Sequence, residues 1–388
     1  MRDAHHRAIA AVFAVHGAVG GSLATRMPWV QDHLGLDPRV LGLALLCPSA
    51  GAFAGILASG RLAHRYGGRA VTRLLLASWC AALALPALAP GLPWLCVGLL
   101  LFGAAAGATD IVMNAQGVVV ERRLGRSIMS SLHGMWSVGN LAGAGIGALA
   151  AQVELDARIH LAGMAMVLLV VGGLLSRGLP ESRSEPGSAK PRRFAVPSRA
   201  ILAIGLVGLC ATFSELSGAQ WAAVYTVRVT GASEGVGAAT YAIFAAFMVV
   251  TRLSGDLIVR RLGPVVTVRA GSVLATLGGV VLVAGRTPGL SIAGFALLGV
   301  GVAVIVPLVF AAAGHAGRTP GEGVAGVATI TYLAGLVAPA VTGWVAGVTS
   351  FPVAFGLITC ATLAMGCIAG VLRPRPAPSP DREYEVVA

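Results

Sequence analysis

GATDIVMNAQGVVVERR, residues 107–123, closes an apolar run that begins near Trp94. It sets Asp110 and Asn114 among Gly, Ala, Val and Ile, and ends on Glu121, Arg122 and Arg123. A carboxylate in such a run is stable only where partner groups or water reach it. A run of this length is also enough to cross lipid as a helix, which takes about 20 mostly apolar residues. Whether the chain repeats this pattern decides the fold.

It does. The 388 residues are 56% hydrophobic and only 11% charged, with mean hydropathy +0.82. A soluble domain is about one-quarter charged, so lipid is the solvent for much of this surface. Cutting at charges, Pro and Gly clusters gives twelve apolar spans: 9–27, 40–62, 71–89, 94–120, 128–153, 159–175, 200–227, 236–258, 265–284, 290–312, 324–348 and 351–372. A Pro-, Ser- and charge-rich linker at 179–198 divides them six and six. The expected fold is an all-α integral membrane protein with twelve transmembrane helices in two pseudo-symmetric six-helix bundles, at 1–178 and 199–374. The tail at 375–388 reads as disordered on composition. The basic start resembles a signal peptide, but with eleven spans behind it the first segment reads as a retained helix.

The net charge of +12 is a topology signal. With the N-terminus inside, 23 of the 28 Lys and Arg fall on inner segments, and only Arg26, Arg39, Arg158, Arg228 and Arg286 fall outside. That is the positive-inside bias, with both termini cytoplasmic and the inner membrane as the expected location. No basic stripe lies on a soluble domain, which argues against nucleic acid. The six cysteines all lie in apolar stretches without metal spacing and read as small hydrophobes.

The halves repeat landmarks. Gly60-Arg61-Leu62-Ala63-His64-Arg65-Tyr66-Gly67-Gly68-Arg69 follows the second span, and Gly255-Asp256-Leu257-Ile258-Val259-Arg260-Arg261-Leu262-Gly263 follows the eighth, 195 residues on. Gly139, three residues after Trp136, matches Gly335, three after Tyr332. Duplicated bundles with a site at their interface are the usual transporter design. With these motifs the sequence resembles the major facilitator superfamily of secondary transporters, near an uncharacterised bacterial branch close to the sugar permeases. The resemblance covers nearly the whole chain and implies that helices one, four, seven and ten line the central path. The family motif after helix two is kept at Gly60, Leu62, Arg65, Gly67 and Arg69, but His64 stands at its acidic position. In the family that acid helps to latch the cytoplasmic gate. The second copy carries Asp256, with Arg252 one turn earlier, and is expected to hold more of the gating charge, together with Arg61, Glu121 and Arg122.

Intramembrane carboxylates are costly and are functional candidates by default. At 100° per residue Gly103, Gly107, Asp110, Asn114, Gly117 and Glu121 form one stripe, which must face protein or water. Close helix packing alone would also explain it. Glu215 sits on a second small-residue face with Gly208, Ala211 and Gly218, followed by Gln220, Trp221 and Tyr225. The last two are equally ordinary interfacial aromatics. His16 and His133 lie on the same inner side as Asp110, and Trp136, Ser137 and Asn140 follow His133. The proton-coupling candidates are therefore Asp110, Glu215, His133 and His16. The substrate-contact candidates are Asn114, Glu215, Gln220, Trp221, Tyr225, Asn140 and Trp136. Pro307 and Pro339 read as bending points.

No hydrolase elbow, zinc-protease or phosphate-loop motif is present, so neither an enzyme nor an ATP-driven pump is expected. The expectation is a secondary transporter working by alternating access, proton-coupled, moving a small polar solute such as a sugar or organic acid, without cofactor or metal, as a monomer. A proton-antiporting exporter and a non-transporting receptor of the same fold are the alternatives.

Overall fold

In the computed structural model the described residues are 2–36, 40, 44–181, 198–317 and 319–373. Most of the linker and the tail beyond 373 lie outside them, as do the two disorder and boundary expectations that fall there. The helices are α1 (Arg2–Ala24), α2 (Cys47–Tyr66), α3 (Gly68–Ala82), α4 (Leu92–Leu124), α5 (Met129–Gln152), α6 (Ala157–Leu175), α7 (Arg199–Thr230), α8 (Glu234–Leu262), α9 (Pro264–Ala284), α10 in two segments (Pro288–Val302 and Ile305–Ala316), α11 (Pro320–Val348) and α12 (Phe351–Ile368). This is the twelve-helix arrangement expected. Among the described residues nine of these elements are long and apolar enough to cross a membrane. The exceptions are α2, α3 and α5, which are shorter or carry more Gly and polar residues.

Three local departures have physical causes. Helix α3 stops at Ala82, seven residues before the end of the expected span, and gives way to turns through residue 88. Pro86 lies four positions beyond Ala82, where its ring meets the Ala82 carbonyl and it has no N–H to give. A short helix, Met27–His33, occupies the loop after α1. Span ten breaks at Ala303 and Val304. Pro307 cannot donate to the Ala303 carbonyl, and that carbonyl takes a bond from Arg252 Nε at 3.1 Å instead. Helix α11 runs on as one element through position 339.

Two buried apolar clusters follow the two halves. The first is built mainly from α1 to α6, the second from α7 to α12. Phe310, Ala311, Val324 and Ala328 of the second half belong to the first cluster, so the halves share packing on the side of the arginine-rich loops. Within the first bundle α1 and α5 cross in near-contact: a Cβ at Gly17 would lie 2.0 Å from the Trp136 carbonyl oxygen, and one at Gly139 would lie 1.9 Å from that of Ala14. Only glycine fits, and the crossing brings His16 of α1 beside Trp136 of α5.

Candidate functional site

The middle of the molecule holds two polar groups of side chains. In the first, Asp110 of α4 is partly accessible and accepts a hydrogen bond from the Tyr332 hydroxyl of α11. Asn114 Nδ2 donates to Asp110 Oδ1 at 3.1 Å and to its backbone oxygen at 2.9 Å. Asn114 Oδ1 then faces His133 Nε2 of α5 at 3.1 Å. Because the amide donates to Asp110, its oxygen accepts, and His133 Nε2 carries the hydrogen. The sequence reading placed His133 on the same side as Asp110; the structure sets Asn114 between them.

His16 has a separate set of partners. The Trp136 indole N–H donates to its Nδ1 at 3.0 Å, which leaves Nε2 to face the Ala106 carbonyl at 3.4 Å. Trp79 stacks on its ring with centroids 5.2 Å apart, and donates its own N–H to the His16 carbonyl at 3.2 Å. These bonds fix the ring's orientation and its tautomer.

The second group centres on Arg252 of α8, which is 5% exposed. One terminal nitrogen lies 2.7 Å from Glu215 Oε1 of α7, the other donates to Ser137 Oγ of α5 at 3.1 Å, and Nε holds the Ala303 carbonyl at the α10 break. One guanidinium thus joins helices seven, eight and ten to helix five of the opposite bundle. Glu215 Oε2 and the hydroxyl of Thr212, one turn away, are buried without a hydrogen-bond partner.

At the arginine-rich end the second copy of the repeated motif closes the molecule. Asp256 is 6% exposed and accepts from the backbone N–H groups of Ser130 and Ser131, each at 3.0 Å, at the start of α5. A carboxylate at a helix N-terminus satisfies free amides and complements the helix dipole. Ser130 Oγ donates to the Arg252 carbonyl at 2.8 Å, and Arg260 to the Ser127 carbonyl at 3.2 Å. Arg122 of α4 reaches the Gly314 carbonyl of α10 at 2.7 Å. Glu121, read as a gating charge, turns back within its own bundle and caps Ile128 and Met129 N–H at 2.9 and 3.1 Å. In the first motif copy Arg61 and Arg65 are exposed, Gly60 and His64 are half-buried, and Arg69 donates to the Arg177 carbonyl of its own half at 2.7 Å.

The remaining candidates separate. Asn140 faces α1, its amide 3.5 Å from the Gly17 carbonyl. Gln220 is exposed, and Trp221 packs on Phe351 with centroids 5.6 Å apart. Tyr225 is 1% exposed, donates to the Leu282 carbonyl and is packed edge-on against Phe295, Phe351 and Phe355. It packs within the second bundle. Tyr332 is the site residue that sequence reasoning used only as a landmark. Its place in the repeat, matching Trp136, was the available signal.

A bundle of apolar helices in two related halves, with paired polar groups between them, is the architecture of a membrane transporter. Residues 9–322 match the family model of the Major Facilitator Superfamily, and the chain belongs to that superfamily. An uncharacterized MFS-type transporter of Yersinia pestis is 34% identical over 92% of this chain and 93% of its own. The uncharacterized transporter y4wD of Sinorhizobium fredii is 32% identical over 94% of this chain and 90% of its own. Among solved structures the E. coli fucose:proton symporter FucP has a TM-score of 0.74 at 14% identity, covering 95% of this chain and 98% of its own. The proton:xylose symporter XylE has 0.75 at 12%, covering 96% and 97%. These two likenesses are of fold.

Proposed function

We propose that this MFS-type transporter moves a small uncharged polar solute across the inner membrane by alternating access, coupled to proton movement at Asp110 and Glu215. The observation that carries the reading is that Asp110 is tied directly across the bundle interface and Glu215 is linked to it through Arg252. Asp110 of the first bundle is held by Tyr332 of the second, and Glu215 is held by Arg252, which also reaches Ser137 of the first. A change in protonation at Asp110 alters a bond that joins the halves, and one at Glu215 alters the ion pair that positions Arg252 against Ser137, which is the link coupling requires.

With the positive-inside orientation, the end sealed by Asp256, Arg122 and Arg260 is cytoplasmic, so the state described faces outward. The charges also bear on the solute. Arg252 is neutralised by Glu215, and His16 already accepts the Trp136 indole hydrogen. Among the described residues the centre therefore offers no free cation to hold an organic acid. Beside Arg252, Glu215 Oε2 and the Thr212 hydroxyl are buried without partners and suit solute hydroxyl groups where the helices part to admit them. This supports a sugar-like solute above an acid.

The test uses proteoliposomes loaded with a pH-sensitive dye and a panel of pentoses, hexoses, 6-deoxyhexoses and monocarboxylates. A neutral sugar that evokes internal acidification or alkalinisation supports the reading. Proton movement evoked only by the monocarboxylates overturns the solute class, and solute flux with no proton movement overturns the coupling.

A further inference from the structure

Helices α2 and α4 run parallel and meet along a seam as tight as that between α1 and α5. A Cβ at Gly51 would lie 2.0 Å from the Leu100 carbonyl oxygen, and one at Gly55 would lie 2.1 Å from that of Ala104. Each pair is 49 positions apart and the pairs are one turn apart. One turn further from the arginine-rich loops, at the same offset, stand Cys47 and Cys96. Their thiols are hydrogen-bonded to one another, and both side chains are half-buried, so a small reagent reaches them. Trp94, two residues before Cys96 and 64% exposed, marks the interfacial depth of this end.

We propose that Cys47 and Cys96 are a dithiol that closes to a disulfide, fastening the outer ends of α2 and α4. A disulfide needs Cα atoms within about 4.4–6.8 Å and side chains that face each other. The small-residue seam supplies the first condition and the thiol contact the second. The chemistry is thiol–disulfide exchange with an external disulfide. One cysteine thiolate attacks a sulfur of the oxidant and expels the first thiolate. The other cysteine then displaces the second as the Cys47–Cys96 bond forms. Two protons leave the cysteines, and two electrons reduce the oxidant to two thiols. That the pair meets an oxidising compartment rests on the orientation proposed above, since disulfides persist outside the cytoplasm. The fastening lies within one bundle, yet α2 also packs against α11 across the interface, so it fixes one member of that contact.

The experiment treats the purified full chain in detergent with oxidised glutathione, alkylates free thiols and maps peptides by mass spectrometry. Expected is a peptide linking Cys47 to Cys96, with both lost from the alkylated pool, while the exposed Cys360 and Cys367 of α12 take at most single glutathione adducts. Cys47→Ser and Cys96→Ser each remove the linked peptide. If the wild-type chain yields no Cys47–Cys96 peptide, with the two cysteines alkylated or carrying separate glutathione adducts, the proposal is wrong. Because the oxidant reaches both faces in detergent, this result does not depend on orientation. Labelling of Cys47 by an impermeant maleimide in right-side-out vesicles tests orientation separately.

Discussion

Arg252 and Glu215 form an ion pair of 2.7 Å in which the two side chains keep only 6% and 18% of their exposure. Removing one partner from a buried pair leaves an uncompensated charge and costs about 3–5 kcal/mol, whereas replacing both by apolar groups is often nearly neutral. Arg252→Met and Glu215→Leu should each lower the apparent melting temperature of the purified protein strongly. The double variant should recover part of that loss. Arg252→Lys should fall short of wild type, because a single ammonium cannot reach Glu215, Ser137 and the Ala303 carbonyl together. Additive losses in the double variant would show that the pair is not coupled.

The α1–α5 crossing gives a sharper steric test. At Gly139 an added methyl would lie 1.9 Å from the Ala14 carbonyl oxygen, so the helices must separate. Gly139→Ala should cost at least the ~1–3 kcal/mol of ordinary overpacking. At Gly163 of α6 nothing lies within 4 Å, and Ala there should stabilise by about 0.5–1 kcal/mol through helix propensity. Thermal melts of the two variants should move in opposite directions.

Asp256 holds the start of α5 through two backbone amides. Hydrogen bonds to a charged group contribute about 1.5–3 kcal/mol each, and 1.4 kcal/mol shifts a two-state equilibrium tenfold. Asp256→Ala should therefore move the population toward the state open at the arginine-rich end by tenfold or more. Spin labels at positions 126 and 261 read this as growth of a longer-distance component. An unchanged distance distribution would remove Asp256 from the closure.

Asp156, before α6, is held down to about 2 by its bonds to the Arg158 side chain and amide. A carboxyl depressed from its ordinary 3.8 contributes stability above that value and loses it as pH falls toward 2. Between pH 5 and 8 its charge is constant. Asp156→Asn should leave the shape of the transport pH profile unchanged across that range, and a shifted midpoint would implicate Asp156 in coupling.

The span pattern was legible because lipid imposes it residue by residue. The Asp110 stripe was legible because 3.6 periodicity fixes which side chains share a face. Gly103 and Gly107 of that stripe do press on Pro48 and Ala52 of α2, while Asp110 itself reaches across to α11. Periodicity names a face and not the partner opposite, so neither the bond from Tyr332 nor the bridging position of Asn114 could be read from it. The break in α10 was signalled by Pro307. That Arg252 would take the freed carbonyl was not, since the two lie 51 positions apart. Tyr225 was left open for a related reason: an aromatic after Glu215 reads alike whether it faces solute or packs, as it does here, on three phenylalanines.

Proton coupling through Asp110 is tested most directly by solute-evoked pH change in proteoliposomes, using wild type, Asp110→Asn and Tyr332→Phe with the sugar that gives the largest wild-type signal. Asp110→Asn should keep downhill sugar exchange and lose the proton signal by at least tenfold, with Tyr332→Phe between the two. A full proton signal in Asp110→Asn would contradict the assignment.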